Sequence, residues 1–242
     1  MKKLASTVLL LLVLTSCSTK HEGEEKSPVV TAPTGITTNE TAGLNEIVRF
    51  YGGHCKYSLG LDKEKKYFEI EFGESPSVEQ LAKVAEMPAS NIAYIFFKSL
   101  KEEQSTYDEI LTSLTFKDGI KKTFRYPKEQ LLLVTQRMEV AYKIAGYIKE
   151  KNYEAIRPLI EDKVFSIDKN EIINKLKLAD SLFGNVTDGF KPYGFDIKKA
   201  DTGTDILHIS GAIIRDKQSH EYSVDMDLNA TDDKIFLIQF KL

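Results

Sequence analysis

Hydrophobic positions change their spacing four times along this chain, and each change marks a boundary. An apolar run from Val8 to Leu14 follows the basic start Met1-Lys2-Lys3. Residues Ser18 to about Gly43 are rich in Thr, Ser, Glu, Gly and Pro and show no hydrophobic period. Such a stretch buries too little apolar surface to offset its ordering entropy, so it reads as a flexible tether. From Leu44 to Pro127 the pattern is mixed. Glu46–Leu61 and Lys66–Phe72 have strand spacing, the latter alternating Tyr67, Glu69 and Glu71 with Phe68, Ile70 and Phe72. Ser75-Pro76-Ser77 opens a helix, Pro88 is expected to break it, and Ala89–Gln104 resumes helical spacing. Tyr107–Phe116 and Ile120–Tyr126 read as strands around an Asp118-Gly119 hairpin turn. The expected order is ββααββ.

The character changes again at Lys128. Leu131–Lys149 is a long helix with Leu131, Val134, Met138, Ala141, Ala145 and Ile148 near one stripe. Asn152 can cap a short helix through Glu161, and Asp168 with Glu171 has the spacing of a capping box for a helix ending near Gly184. Four strand-like runs close the chain: Phe190–Lys199, Asp205–Arg215, Glu221–Asn229 and Lys234–Leu242. In the third, Tyr222, Val224, Met226 and Leu228 share one face while Ser223, Asp225, Asp227 and Asn229 share the other, as in a sheet with one wet side. The fold class is therefore α+β, in two small domains of residues 44–127 and 128–242 behind a tether.

A basic start, a short apolar run and a small-residue site form a secretory signal, too short to span a membrane. Leu14-Thr15-Ser16-Cys17 resembles the lipobox of bacterial lipoproteins. That resemblance implies a signal peptide over 1–16, acylation of Cys17 and a lipidated tether over 17–43. Loss of Lys2 and Lys3 moves the formal charge from −3 to −5. Ser18, in place of the Asp that retains many lipoproteins in the inner membrane, implies the outer membrane, with the protein facing the periplasm or the cell surface. The acidic run Glu22-Gly23-Glu24-Glu25 resembles the surface-export signals of Bacteroidetes lipoproteins. Phe50-Tyr51-Gly52-Gly53 and Asn91-Ile92-Ala93-Tyr94 resemble uncharacterised lipoproteins of that group, which carry no known activity.

Three helices followed by a curved antiparallel sheet resemble the nuclear-transport-factor-2-like, or cystatin-like, superfamily over about Leu131–Leu242. The resemblance rests on Lys149-Glu150-Lys151-Asn152-Tyr153-Glu154, on the helix ending at Phe183-Gly184, and on the terminal strands. It implies a cone-shaped second domain. Enzymes of that superfamily often use an Asp and a His inside the cone. Here His208 alternates with Leu207 and Ile209, and Asp225 with Val224 and Met226, so both belong to the face away from the cavity.

Little else carries chemistry. The four His, at 21, 54, 208 and 220, form no metal-ligand spacing, and no phosphate loop, dinucleotide fingerprint or nucleophile elbow occurs. Two Cys cannot make a four-thiolate zinc site, and Cys55 beside His54 is expected to be a packed thiol. Asp201-Thr202-Gly203-Thr204-Asp205 lacks the ligand count of a calcium loop and reads as a turn. Asp180-Ser181-Leu182 resembles the O-glycosylation sequon of Bacteroidetes on an expected helix. A net charge of −3 gives no basis for nucleic-acid binding. No catalytic residue, metal or cofactor is expected. The expected function is a membrane-anchored binding or envelope-assembly module, the alternative an envelope enzyme using the cone. The wet face bearing Ile206, His208, Ile214 and Asp225 is the expected contact surface for a homodimer or an envelope partner.

Overall fold

The computed structural model describes residues 35–161 and 168–240, and Thr37 caps its first described element. The expected signal peptide, Cys17 and the expected tether as far as residue 34 lie outside the described residues. Thr37 accepts from the Glu40 amide at 3.2 Å, and Glu40 Oε2 accepts from the Thr37 amide at 2.7 Å. This reciprocal cap starts helix α1, Thr38–Tyr51. It corrects two expectations, because the tether does not extend to Gly43 and Glu46–Tyr51 is helix, not strand. Leu44, Ile47, Val48 and Tyr51, at i, i+3, i+4 and i+7, are the buried stripe that decides the matter.

Strands β1 (His54–Asp62) and β2 (Lys65–Gly73) form a hairpin. A short helix α2 (Pro76–Gln80) and helix α3 (Glu86–Ser99) then cross to β3 (Glu109–Thr115), parallel to β2. β4 (Lys121–Pro127) returns antiparallel through the expected turn, giving the order β1-β2-β3-β4. Pro88 does not break α3. It occupies the third helical position, where no intrahelical N–H partner is lost. Every residue from Pro88 to Phe97 is buried, so α3 is enclosed on all sides, with α1 and the first sheet around it.

Pro127 closes β4 and caps α4 (Lys128–Lys149). Two 3₁₀ turns, Tyr153–Ala155 and Arg157–Leu159, replace the expected short α-helix. Helix α5 (Lys169–Phe183) starts at Asp168, whose carboxylate accepts from the Asn170 amide, a one-sided cap instead of the expected box. Strands β5 (Val186–Lys199), β6 (Asp205–Arg215), β7 (His220–Asp227) and β8 (Leu237–Phe240) form an antiparallel sheet in chain order. The Asp201–Asp205 segment is the β5–β6 turn, closed by Gly203 N–H to Ala200 O at 2.8 Å. The molecule is thus α+β with two four-stranded sheets.

The buried apolar cluster does not divide at Pro127. It runs from Leu44 and Phe68 through α3 and α4 to Ile209 and Met226. Polar groups fix the join. Buried Asn91 donates to Tyr51 Oη at 2.9 Å and to Pro192 O at 3.1 Å, while Ser90 Oγ accepts from the Phe195 amide at 2.8 Å and donates to Met87 O. The two segments Phe50–Gly53 and Asn91–Tyr94 therefore meet at one bulged stretch of β5. Gly194 completes the contact: a Cβ there would lie 2.0 Å from Met87 O.

Candidate functional site

Period-two alternation puts Leu207, Ile209 and Ile213 of β6 in the core and Ile206, His208, Ser210 and Ile214 on the opposite face. The antiparallel register sets His208 opposite Asp196 of β5 and Asp225 of β7, so an imidazole stands between two carboxylates. His208 Nδ1 lies 2.5 Å from Asp225 Oδ1, at side-chain exposures of 31% and 25%. Asp196 turns instead to Lys198, 3.1 Å away. A carboxylate on Nδ1 orients the ring and leaves Nε2 for another partner; it has none among the described residues.

The segment before α3 approaches this face. Lys83, Val84, Ala85, Glu86 and Met87, with Lys122 and Phe124 of β4, join Asp196, Lys198 and His208 around a cleft of about 510 Å³. Val84, Ala85, Met87 and Phe124 give it apolar wall; Val84 is half-exposed. Lys122 Nζ is held by Ala82 O at 3.0 Å and lies over the Phe116 ring, whereas Lys83 has no ion-pair partner among the described residues. Among the described residues, no hydroxyl or thiol side chain lines the cleft. The sequence-derived face residues divide accordingly. His208 and Asp225 are in contact and His208 lines the cleft. Ile206 and Ile214 lie further along the same face, partly buried and eight residues apart.

A second cluster, which pattern reading missed, lies on the core side of the same strands. The Arg215 side chain is fully buried and donates to Asp180 and, at 2.5 Å, to Gly184 O. Tyr153 donates to the other Asp180 oxygen. His220 stacks on Phe183 with ring centres 5.1 Å apart. Burial, with the Arg215 charge adding to it, pushes the His220 pKa below its ordinary value. Arg215 Nε and Nη2, His220 Nε2 and Tyr222 Oη have no hydrogen-bond partner among the described residues. Asp180, which the sequence offered only as part of a resemblance to a sequon, is thus an ion-pair partner. The signal was present in the parity: Arg215 follows Leu207, Ile209 and Ile213 on the core side, and His220 precedes Tyr222 and Val224.

The remaining candidates resolve simply. Burial raises the Cys55 thiol to about 12, so it is not a nucleophile at neutral pH. His54 lies 3.6 Å from Glu74. On the open face of the first sheet the carboxylates are paired: Glu109 with Arg125 and Lys65, and Glu71 with Lys121. Glu69 has a lowered pKa, chiefly through its hydrogen bond from Ser113. Among the described residues no group of three His, Cys, Asp or Glu is placed to hold a metal ion, and no helix is long and apolar enough to cross a membrane. Compared with protein-family models, curated proteins and solved structures, the chain matches none.

Proposed function

We propose that this protein is a lipid-anchored binding module of the bacterial cell envelope, held at the outer membrane through acylated Cys17. In this reading its two lobes receive a small anionic, partly apolar ligand in the cleft beside His208. The observation that carries the proposal is the lining of that cleft: Lys83, Lys122, Lys198 and His208, against the carboxylates Glu86 and Asp196, around Val84, Met87 and Phe124. Three lysines against two carboxylates, with Lys83 free of any ion-pair partner among the described residues, leave an excess of positive charge over apolar wall, which suits an amphiphilic anion. The second lobe is proposed to be a cone of the nuclear-transport-factor-2-like kind, supported by its order of helix, turns, helix and four antiparallel strands. The ligand would lie outside that cone, between the lobes.

An enzymatic reading is favoured by one observation, the short His208–Asp225 contact, which resembles the orienting half of an acid–base pair. The absence of a hydroxyl or thiol from the lining weighs for binding. Titration with anilinonaphthalene sulfonate, an anionic amphiphile, separates anion recognition from general stickiness when run beside the uncharged N-phenylnaphthylamine. Saturable uptake of the sulfonate, weakened several-fold by Lys83→Glu and Lys198→Glu with the neutral dye unaffected, is the expected result. Equal losses for both dyes, or none for either, would contradict the proposal.

A further inference from the structure

Strand β1 is an edge strand: β2 pairs one side, and no described residue pairs the other. Natural sheets usually blunt such an edge with a covering segment or with inward charges. Here Cys55, Tyr57, Leu59 and Leu61 share the face of Phe72, Ile70 and Phe68, which the helices cover. Cys55 and Tyr57 pack on the core, but Leu59 and Leu61 project past it, 49% and 65% exposed. The other face of the strand carries Lys56, Ser58, Gly60 and Asp62. Gly60 is itself covered by the Tyr67 ring, which stands where its Cβ would be, so the strand is filled on both faces and long enough to accept a neighbour.

Its charge order, Lys56 at one end and Asp62 at the other, is complementary to itself when reversed. An antiparallel copy centred on Leu59 sets Leu59 against Leu59, Tyr57 against Leu61, Ser58 against Gly60, and Lys56 against Asp62. By symmetry both contacts form, with each Asp62 shared between the other copy's Lys56 and its own Arg125, 3.2 Å away, and the exposed leucines of the two copies cover one another. Lys56 has no ion-pair partner within its own chain among the described residues, so it is free for this contact. Opposite side chains in such a ladder come within ~4.5–5.5 Å, close enough for apolar contact and for thiol crosslinking.

We infer that the occupant of this edge is a second copy of the same chain, paired antiparallel through β1 with the twofold axis at Leu59. The two first sheets then form one eight-stranded sheet. The inference is independent of the cleft reading, because β1 contributes nothing to the cleft.

Thiol crosslinking of the full chain tests it. In a Cys55→Ser background, Leu59→Cys chains should be joined by mild oxidation or a short bis-maleimide. The dimer fraction should be several times that of Leu182→Cys, whose site on α5 is equally exposed and reports random collision. The Cys55→Ser parent, with Cys17 acylated or replaced by Ser, must give no covalent dimer under the same treatment. Lys56→Glu should lower the Leu59→Cys yield, and Lys56→Glu combined with Asp62→Lys should restore it. Equal crosslinking at positions 59 and 182 would overturn the inference, as would preferential joining of Leu59→Cys chains to Leu61→Cys chains. Failure of the charge swap to restore the yield would do the same.

Discussion

Replacing Gly194 with Ala should destabilise the whole molecule through a single contact. Gly194 has φ +155, a backbone region that side chains rarely adopt, and its missing Cβ is what allows β5 to lie against the start of α3. An added methyl would sit 2.0 Å from Met87 O, 2.7 Å from Met87 C and 2.8 Å from Ser90 Oγ. Two of those atoms are backbone, so no flexible side chain can swing away. The backbone strain costs about 1–3 kcal/mol and the overpacking a further ~1–3 kcal/mol. A loss of roughly 4 kcal/mol is a large share of the ~5–15 kcal/mol that holds a domain folded. For a chain of this size it lowers the melting temperature by about 8–16 °C. Gly119→Ala is the control: its φ is +82, but nothing lies within 4 Å of the new methyl, so it should lose only ~1–2 kcal/mol. Calorimetry of both variants should show one transition, shifted far down for Gly194→Ala. If that variant melts within a few degrees of Gly119→Ala, the contact is not what joins the halves. Two transitions with one unmoved would mean that the core is not cooperative.

Four other outcomes are expected. Asp180→Ala should cost about 3–5 kcal/mol by stranding the buried Arg215 charge, and Asp180→Leu with Arg215→Met should recover much of it in urea melts. His220 has a lowered folded pKa, so the unfolded chain binds the proton more readily. Stability should therefore fall as pH drops below about 6.5 towards the lower folded value, and His220→Phe should flatten that slope in melts taken across the range. A fragment 128–242 should be poorly folded by circular dichroism, since removing α3 uncovers Phe195 and leaves the Ser90 and Asn91 partners unpaired; a cooperative melt of that fragment would show that the halves are independent. Cys17→Ala should abolish incorporation of a fatty-acid analogue that the parent takes up; equal labelling would remove the lipid anchor from the account.

Much of the fold was legible because its elements obey one period each. The alternation of β7 and the register signal at Asp118-Gly119 translate directly into β7 and the β3–β4 hairpin. Helix α1 was also legible, in Thr37-Thr38-Asn39-Glu40 and the spacing of Leu44, Ile47, Val48 and Tyr51. It was misread because Phe50 and Tyr51 resemble a strand and because polar Thr38–Gly43 resembles in composition the polar stretch before it. Pro88 misled for a different reason: a helix-breaking residue is harmless in a first turn, and sequence alone does not fix where the turn begins. The division at Pro127 is a change of element type. Whether it is a division of the core depends on Ser90, Asn91 and Gly194, small residues whose contacts are about a hundred positions away. The face of His208 and Asp225 followed from parity, but its cleft did not, because its other wall comes from residues 83–87. Arg215 and His220 had core parity, and their polarity hid it.

The most direct test of the binding proposal uses three of the methionines as reporters. Met87 lines the cleft, whereas Met138 and Met226 are fully buried in the core. With ¹³C-methyl methionine in the full chain, assigned by Met→Leu replacement, anilinonaphthalene sulfonate should shift the Met87 signal saturably and leave Met138 and Met226 in place. His208→Ala with Lys83→Glu should weaken that shift. A sulfonate that binds while the Met87 signal stays fixed, or that moves the core methionines equally, would contradict the assignment of the cleft as the ligand site.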